Sequence, residues 1–270
     1  MNHDILLPAT AGKQSATACS LVALRPRSVN LAIAYIAAAA ATRYPDAANT
    51  MEMPMTPGSE TLSPTWFLDS NSDAVQRYAS LAGGDTEDAV AVAEKLFYAV
   101  RDGIRYDPYQ VSRDPAAYRA STIAEGSSNW CVPKSVLLAA CARVRGIPAR
   151  LGFADVLNHL TSDKLSESMG TDLFAWHGYA ELWLNGNWVK LSTAFNIELC
   201  ERFGVAPLEF DAVQGALMHP YDTSGRRHME YVRERGSFDD LPLEAIFNTF
   251  DEVYPAMNAQ PSDHDSAFHT

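Results

Sequence analysis

A cysteine at the start of a helix and a histidine at the head of a strand are the two side chains here best suited to covalent chemistry. Cys131 lies in residues 127–150, SSNWCVPKSVLLAACARVRGIPAR, and His177 opens a hairpin-like run further on. A helix N-terminus carries free N–H groups and partial positive charge. Both favour a thiolate, the reactive form of cysteine, and the same N–H groups can stabilise an oxyanion on a substrate. Cys131 is therefore the candidate nucleophile and His177 its candidate base. The plainer alternative is a small buried residue, as free cysteines often are.

The elements that must position these groups follow from periodicity. From Lys134, the apolar residues Val136, Leu137, Ala140, Cys141 and Val144 recur at helical spacing and predict one buried face. Pro133 suits the first turn, Gly146 suits the position after the helix, and Pro148 blocks continuation. A strand is predicted over 149–156 and a long polar connection over 158–171. A hairpin follows, with strands 177–184 and 188–193 around Asn185-Gly186. With those two residues in the turn, Leu184 faces Asn187, Trp183 faces Trp188, and His177 faces Ala194. Ser192 and Asn196 are then the diagonal neighbours of His177 on its own face. Either could accept the Nδ1–H of His177 and fix its tautomer. Before Cys131, short helices are predicted over 74–81 and 118–124, and a longer one runs from a cap at Asp85 or Thr86 to about Arg101. After the hairpin, helices are expected over 198–203, 226–235 and 243–250.

Composition narrows the function classes. The chain has 270 residues, 47% hydrophobic and 20% charged, with net charge -12. That balance describes an ordinary globular protein and argues against nucleic-acid binding, which wants a basic face. Four cysteines without a CxxC pair make neither a disulfide scaffold nor a zinc ribbon, so a reducing cytoplasm is the expected location. No HExxH helix and no EF-hand-like loop is present, and no cofactor is expected. Residues 1–58 read as a poorly ordered extension or as a start assigned too early, with Met51 or Met53 as the true beginning. The run 29–41 also has the look of an export signal or anchor, though it is short for a membrane span. One domain over 59–255 and a flexible tail over 256–270 complete the expected layout. Membrane association is not expected, and a homo-oligomer is compatible with the composition.

The order of pieces resembles the bacterial transglutaminase-like superfamily of papain-type thiol enzymes. The matching residues are Asn129-Trp130-Cys131, the helix ending Arg145-Gly146-Ile147-Pro148-Ala149-Arg150, the His177-headed strand through Trp183, and Asn187-Trp188-Val189-Lys190. The resemblance implies an α+β fold, with the cysteine helix packed on an antiparallel sheet that carries the histidine. It also implies a Cys-His-acid triad and acyl-transfer or amide-cleaving chemistry on a peptide or amide substrate. There is one departure: Ser192 stands where the family usually has its acid. Serine can orient the imidazole but supplies no charge; Asn196 and Asp155 are the other candidates for that part. An oxyanion hole would combine the Cys131 N–H with a donor from Asn129, Trp130 or Tyr106. Hydrolysis is the expected outcome, and a degenerate binding or scaffold protein is the alternative. Zinc held by Cys131, His177 and His159 is a third reading. Cys141 and Cys200 are expected in the core and His159 on the surface. The cluster Arg226-Arg227-His228 is a solvated face or a carboxylate-binding patch.

Overall fold

The structure is a computed structural model that describes residues 57–159, 165, 167, 169–217, 222–226 and 228–254. The expectations for residues 1–56 and 256–270 lie outside the described residues. The chain first forms α1 (Asp73–Gly83) and α2 (Ala89–Gly103), each capped by a side-chain oxygen. Ser72 accepts the N–H of Val75, and Asp88 accepts that of Ala91 at 2.8 Å. The predicted caps Asp85 and Thr86 fall just short of the true one; Thr86 Oγ1 accepts the Asp88 N–H instead. A short parallel pair follows, β1 (Arg105–Tyr106) with β2 (Ser128–Asn129), and α3 (Ala120–Ala124) lies between them in the chain.

The central helix is α4 (Cys131–Val144). Thirteen of its fourteen residues are buried, so the expectation of a single buried face is too narrow. The reason is position: α1, α2 and α3 pack around it, and strands β3 and β4 close the remaining side. A helix buried all round carries few polar residues, and this one keeps Lys134, Ser135 and Arg143 by satisfying them internally. Arg143 donates to the carbonyls of Ala149, Ser63 and Asp239, tying three separate segments to the helix. The end of α4 is a Schellman motif: Ile147 N–H bonds Ala142 O at 2.9 Å and Gly146 N–H bonds Arg143 O, with Gly146 at φ 71°.

Next come β3 (Ala149–Asn158), β4 (Leu173–Leu184), β5 (Asn187–Leu191), α5 (Ile197–Phe203), β6 (Met229–Phe238) and α6 (Leu243–Val253). The antiparallel sheet has the order β5-β4-β3-β6. This is the α+β architecture expected, with the cysteine helix against the sheet. One face buries Leu151, Phe153, Ala180 and Leu182 in the main core with α4, and the other carries a smaller cluster of Ala154, Val156, Tyr179 and Met229. The hairpin turns at Asn185 (φ 51°) and Gly186 (φ 82°), and Leu184 pairs with Asn187 and Trp183 with Trp188 as expected. The helix expected over 226–235 is instead the edge strand β6. Its run of charges, Glu230, Arg233, Glu234 and Arg235, reads as a solvated helix, with Glu230 and Arg233 at i,i+3. Ladder bonds to β3 override that local preference, and a charged edge strand resists pairing with other chains.

Candidate active site

Cys131 is the first residue of α4 and is 5% exposed. Its thiol takes hydrogen bonds from the backbone N–H groups at the helix start and from Gly178, the residue after His177. Strand and helix meet closely there, because a Cβ on Gly178 would stand 3.0 Å from Val132 Cα. A side chain at 178 would push β4 off the start of α4. Gly178→Ala is therefore expected to cost roughly 1–3 kcal/mol of stability, read from urea melts, and to alter Cys131 reactivity.

His177 is 4% exposed, and its Nε2 lies 3.5 Å from Ser192 Oγ, a long contact. The nitrogen facing Ser192 is Nε2, not the Nδ1 expected from the register. Asn196 is not brought to the ring. The β4–β5 ladder stops at Ala180–Leu191, and Ser192 N–H turns to Ala216 O. Asn196 Oδ1 accepts the Tyr106 N–H at 3.0 Å and its Nδ2 donates to Glu198. Asp155 does not reach the ring either; its Oδ1 accepts the N–H of Trp176 and the Nε–H of Arg235. His177 and Ser192 line a small cavity with Ala194, Phe195, His228 and Met229.

Electrostatics hold the cysteine and histidine neutral. Burial pushes the Cys131 thiol up to about 11, although the backbone N–H groups and Lys134 pull the other way. Burial lowers His177 to about 4. The expected lowering of the thiol by the helix end is thus outweighed by desolvation. Lys134, one turn along from Cys131 and fully buried, donates to the carbonyls of Arg101 and Ile104 at the end of α2. Burial brings its ammonium down to about 7. These shifts give stability a sign with pH. Unfolded, His177 takes its proton near 6.5; folded, only near 4. The penalty for charging it in place is full below pH 4 and gone above 6.5, so stability rises across that window by about 3 kcal/mol. Lys134 acts in the same sense from pH 7 upward. The stability of the wild type, read from urea melts, should therefore rise more steeply with pH between 4 and 6.5 than that of His177→Gln.

Of the other candidates, Tyr106 sits beside the thiol. Burial and the neighbouring Cys131, Asp107 and Tyr254 hold its phenol well above the ordinary value, so it keeps its proton. Trp130 packs edge-on against Tyr118 and against Phe250. Asn129 Oδ1 accepts the Trp130 N–H at 3.1 Å. His159 pairs with Glu230 and its N–H bonds the His228 carbonyl, away from Cys131. Among the described residues no group of three His, Cys, Asp or Glu is placed to hold a metal ion. Cys141 is core as expected; Cys200 is buried and also lines the cavity beside His177. Arg226 is taken by Asp222, Arg227 lies outside the described residues, and His228 is buried, so no open basic patch forms from described residues there. Sequence reading missed the places of three groups, His228 having been read only as part of a basic cluster. Lys134 was visible as a charge inside an apolar helix. His228 faces the cavity, and the Tyr254 hydroxyl accepts the Ala175 N–H and donates to Leu173 O; neither had a periodic signal.

Residues 75–193 match the family model described as the transglutaminase-like superfamily. This segment belongs to the transglutaminase-like superfamily. It runs from α1 to just past Ser192 and so contains Cys131, His177 and the hairpin between them. Among solved structures, a candidate cysteine protease from Cytophaga hutchinsonii is similar at 16% identity and a TM-score of 0.43. The similarity covers 73% of this chain and 53% of the other, so the chain spans about half the length of that structure. No curated protein matches the chain. No helix among the described residues is long and apolar enough to cross a membrane. Within this segment, Ser192 Oγ stands 3.5 Å from His177 Nε2.

Proposed function

We propose that this protein is a thiol-dependent acyl-transfer enzyme that hydrolyses an amide or peptide bond through an acyl-Cys131 intermediate. The observation that carries the reading is the Cys131 thiol held at the start of α4 against the N–H of Gly178, the residue that follows His177 in β4. The thiol sulfur attacks the substrate carbonyl carbon while His177 takes the thiol proton. Ser192 contacts Nε2 at 3.5 Å, so in this reading Nδ1 is the nitrogen that takes the proton. Charge developing on the carbonyl oxygen meets the Cys131 and Val132 N–H groups, which the sulfur gives up as it bonds the carbon. His177 then gives its proton to the departing amine, and water activated by the same imidazole releases the acid.

The test is labelling by an electrophilic amide-mimicking probe. Cys131→Ala should abolish labelling, and His177→Ala should slow it roughly 10²–10⁴-fold. Ser192→Ala should slow it more than Asn196→Ala, because only Ser192 reaches the imidazole. Labelling indifferent to His177 would remove the enzyme reading. The second reading is a binding protein that keeps the fold without the chemistry. It is favoured by the neutral, buried cysteine and histidine and by the uncharged Ser192.

A further inference from the structure

We propose that Asp155 is a positioning residue for His177 and acts through the backbone of Trp176; this rests on the reading of His177 as the base. The register between β3 and β4 slips there: Ala154 pairs with His177, but Val156 pairs with Phe174. One extra residue is therefore accommodated on β4, immediately before His177. Trp176 takes it up with φ 59°, a left-handed conformation unusual for a bulky side chain. Bulged residues lose ladder partners, and here side chains replace them. Asp155 Oδ1 accepts the Trp176 N–H at 3.0 Å, and the Tyr254 hydroxyl accepts the Ala175 N–H at 2.6 Å.

The brace is itself fixed. Arg235 Nε donates to the same Asp155 oxygen at 2.8 Å, and its guanidinium lies 4.9 Å from the centre of the Trp176 ring. Trp176 Nε1 donates to Thr249 Oγ1 at 2.9 Å. Asp155 is 1% exposed and its Oδ2 makes no hydrogen bond, so a buried carboxylate is retained with one oxygen serving two donors. The bulge sets the twist of β4 from Trp176 to Gly178. It thereby turns the imidazole toward Ser192 while the Gly178 N–H meets Cys131.

An N–H acceptor is then the requirement at position 155, and charge is secondary. The experiment compares Asp155→Asn, Asp155→Ala and the double variant Asp155→Asn/Arg235→Met, at matched folded fraction. Two readouts are taken: the NMR signals of the His177 ring nitrogens and the rate of Cys131 labelling by the amide-mimicking probe. Asp155→Asn and the double variant keep an acceptor, so both readouts should stay within about twofold of wild type. Asp155→Ala should shift the ring signals and slow labelling at least tenfold. Unchanged ring signals in Asp155→Ala would overturn the proposal. So would a double variant as impaired as Asp155→Ala, since the ion pair would then be what matters. The ring signals report on His177 whether or not wild-type labelling depends on it, so failure of the base reading is seen separately.

Discussion

Alkylation of Cys131 by iodoacetamide is expected to rise about tenfold per pH unit from pH 6 to pH 10, with no plateau on the acid side. Iodoacetamide reacts with the thiolate and needs no base at the moment of attack. Its rate therefore tracks the thiolate fraction, which grows tenfold per unit below the thiol pKa. With that pKa pushed to about 11 by burial, the growth should continue through the accessible range. A thiolate–imidazolium pair would behave otherwise: its rate would level off between the two pKa values, and His177→Ala would abolish the level region. Here the imidazole titrates near 4, far below the thiol. Moving the proton from sulfur to nitrogen costs roughly 10 kcal/mol from those two values, and the attraction between the charges formed offsets part of it. The profile for His177→Ala should accordingly keep the wild-type shape, while labelling by the amide-mimicking probe falls. Mass spectrometry of the Cys131 peptide separates it from Cys141 and Cys200, which burial also pushes up. A level rate below pH 7 would show that the resting site holds the ion pair, and the account of a neutral site would be withdrawn.

How much of the fold was legible in the sequence depends on how local each signal is. The hairpin register was, because Asn185-Gly186 fixes a two-residue turn and every pair behind it follows. The C-terminal end of α4 was, because Gly146 and Pro148 admit few alternatives. The strand character of 229–238 was not. Its run of charges reads as a solvated helix, and only β3, distant in sequence, supplies the ladder that decides otherwise. The full burial of α4 was hidden for a similar reason: the donors of Lys134 and Arg143 end on carbonyls from other elements.

The site divides along the same line. Cys131 at a helix start and Ser192 on the face of His177 follow from spacing alone. Asn196 was placed by extending the register past Leu191, where the chain leaves the sheet to pair with Ala216. The bulge at Trp176 needs β3 and β6 to slip as well, and no run in the sequence marks it. The thiol pKa was misjudged because a helix end is a local feature, whereas desolvation sums over everything packed around it.

Ser192→Asp should convert this site toward a charged triad and bring the largest gain in reactivity of any single change near it. An Asp carboxylate reaches further than a serine hydroxyl, and the present gap is 3.5 Å. The added reach closes it to roughly the 2.7–2.9 Å of a charge-assisted hydrogen bond. An opposite charge at that distance raises an imidazole pKa by about 1–3 units, so His177 should titrate well above its present value near 4. A stronger base shortens the proton-transfer gap to the thiol, and probe labelling should quicken roughly 10–10³-fold. Stability should move the other way. Position 192 is 2% exposed, and an added carboxylate loses its water there, with recovery only when the imidazole is charged. The variant should thus melt lower than wild type and regain part of the loss at mildly acidic pH, where His177 is protonated. NMR titration of the ring, labelling rates and melting temperature give three separate readings. A raised imidazole pKa without faster labelling would mean that the missing charge is not what limits Cys131, and the binding-protein reading would then take precedence.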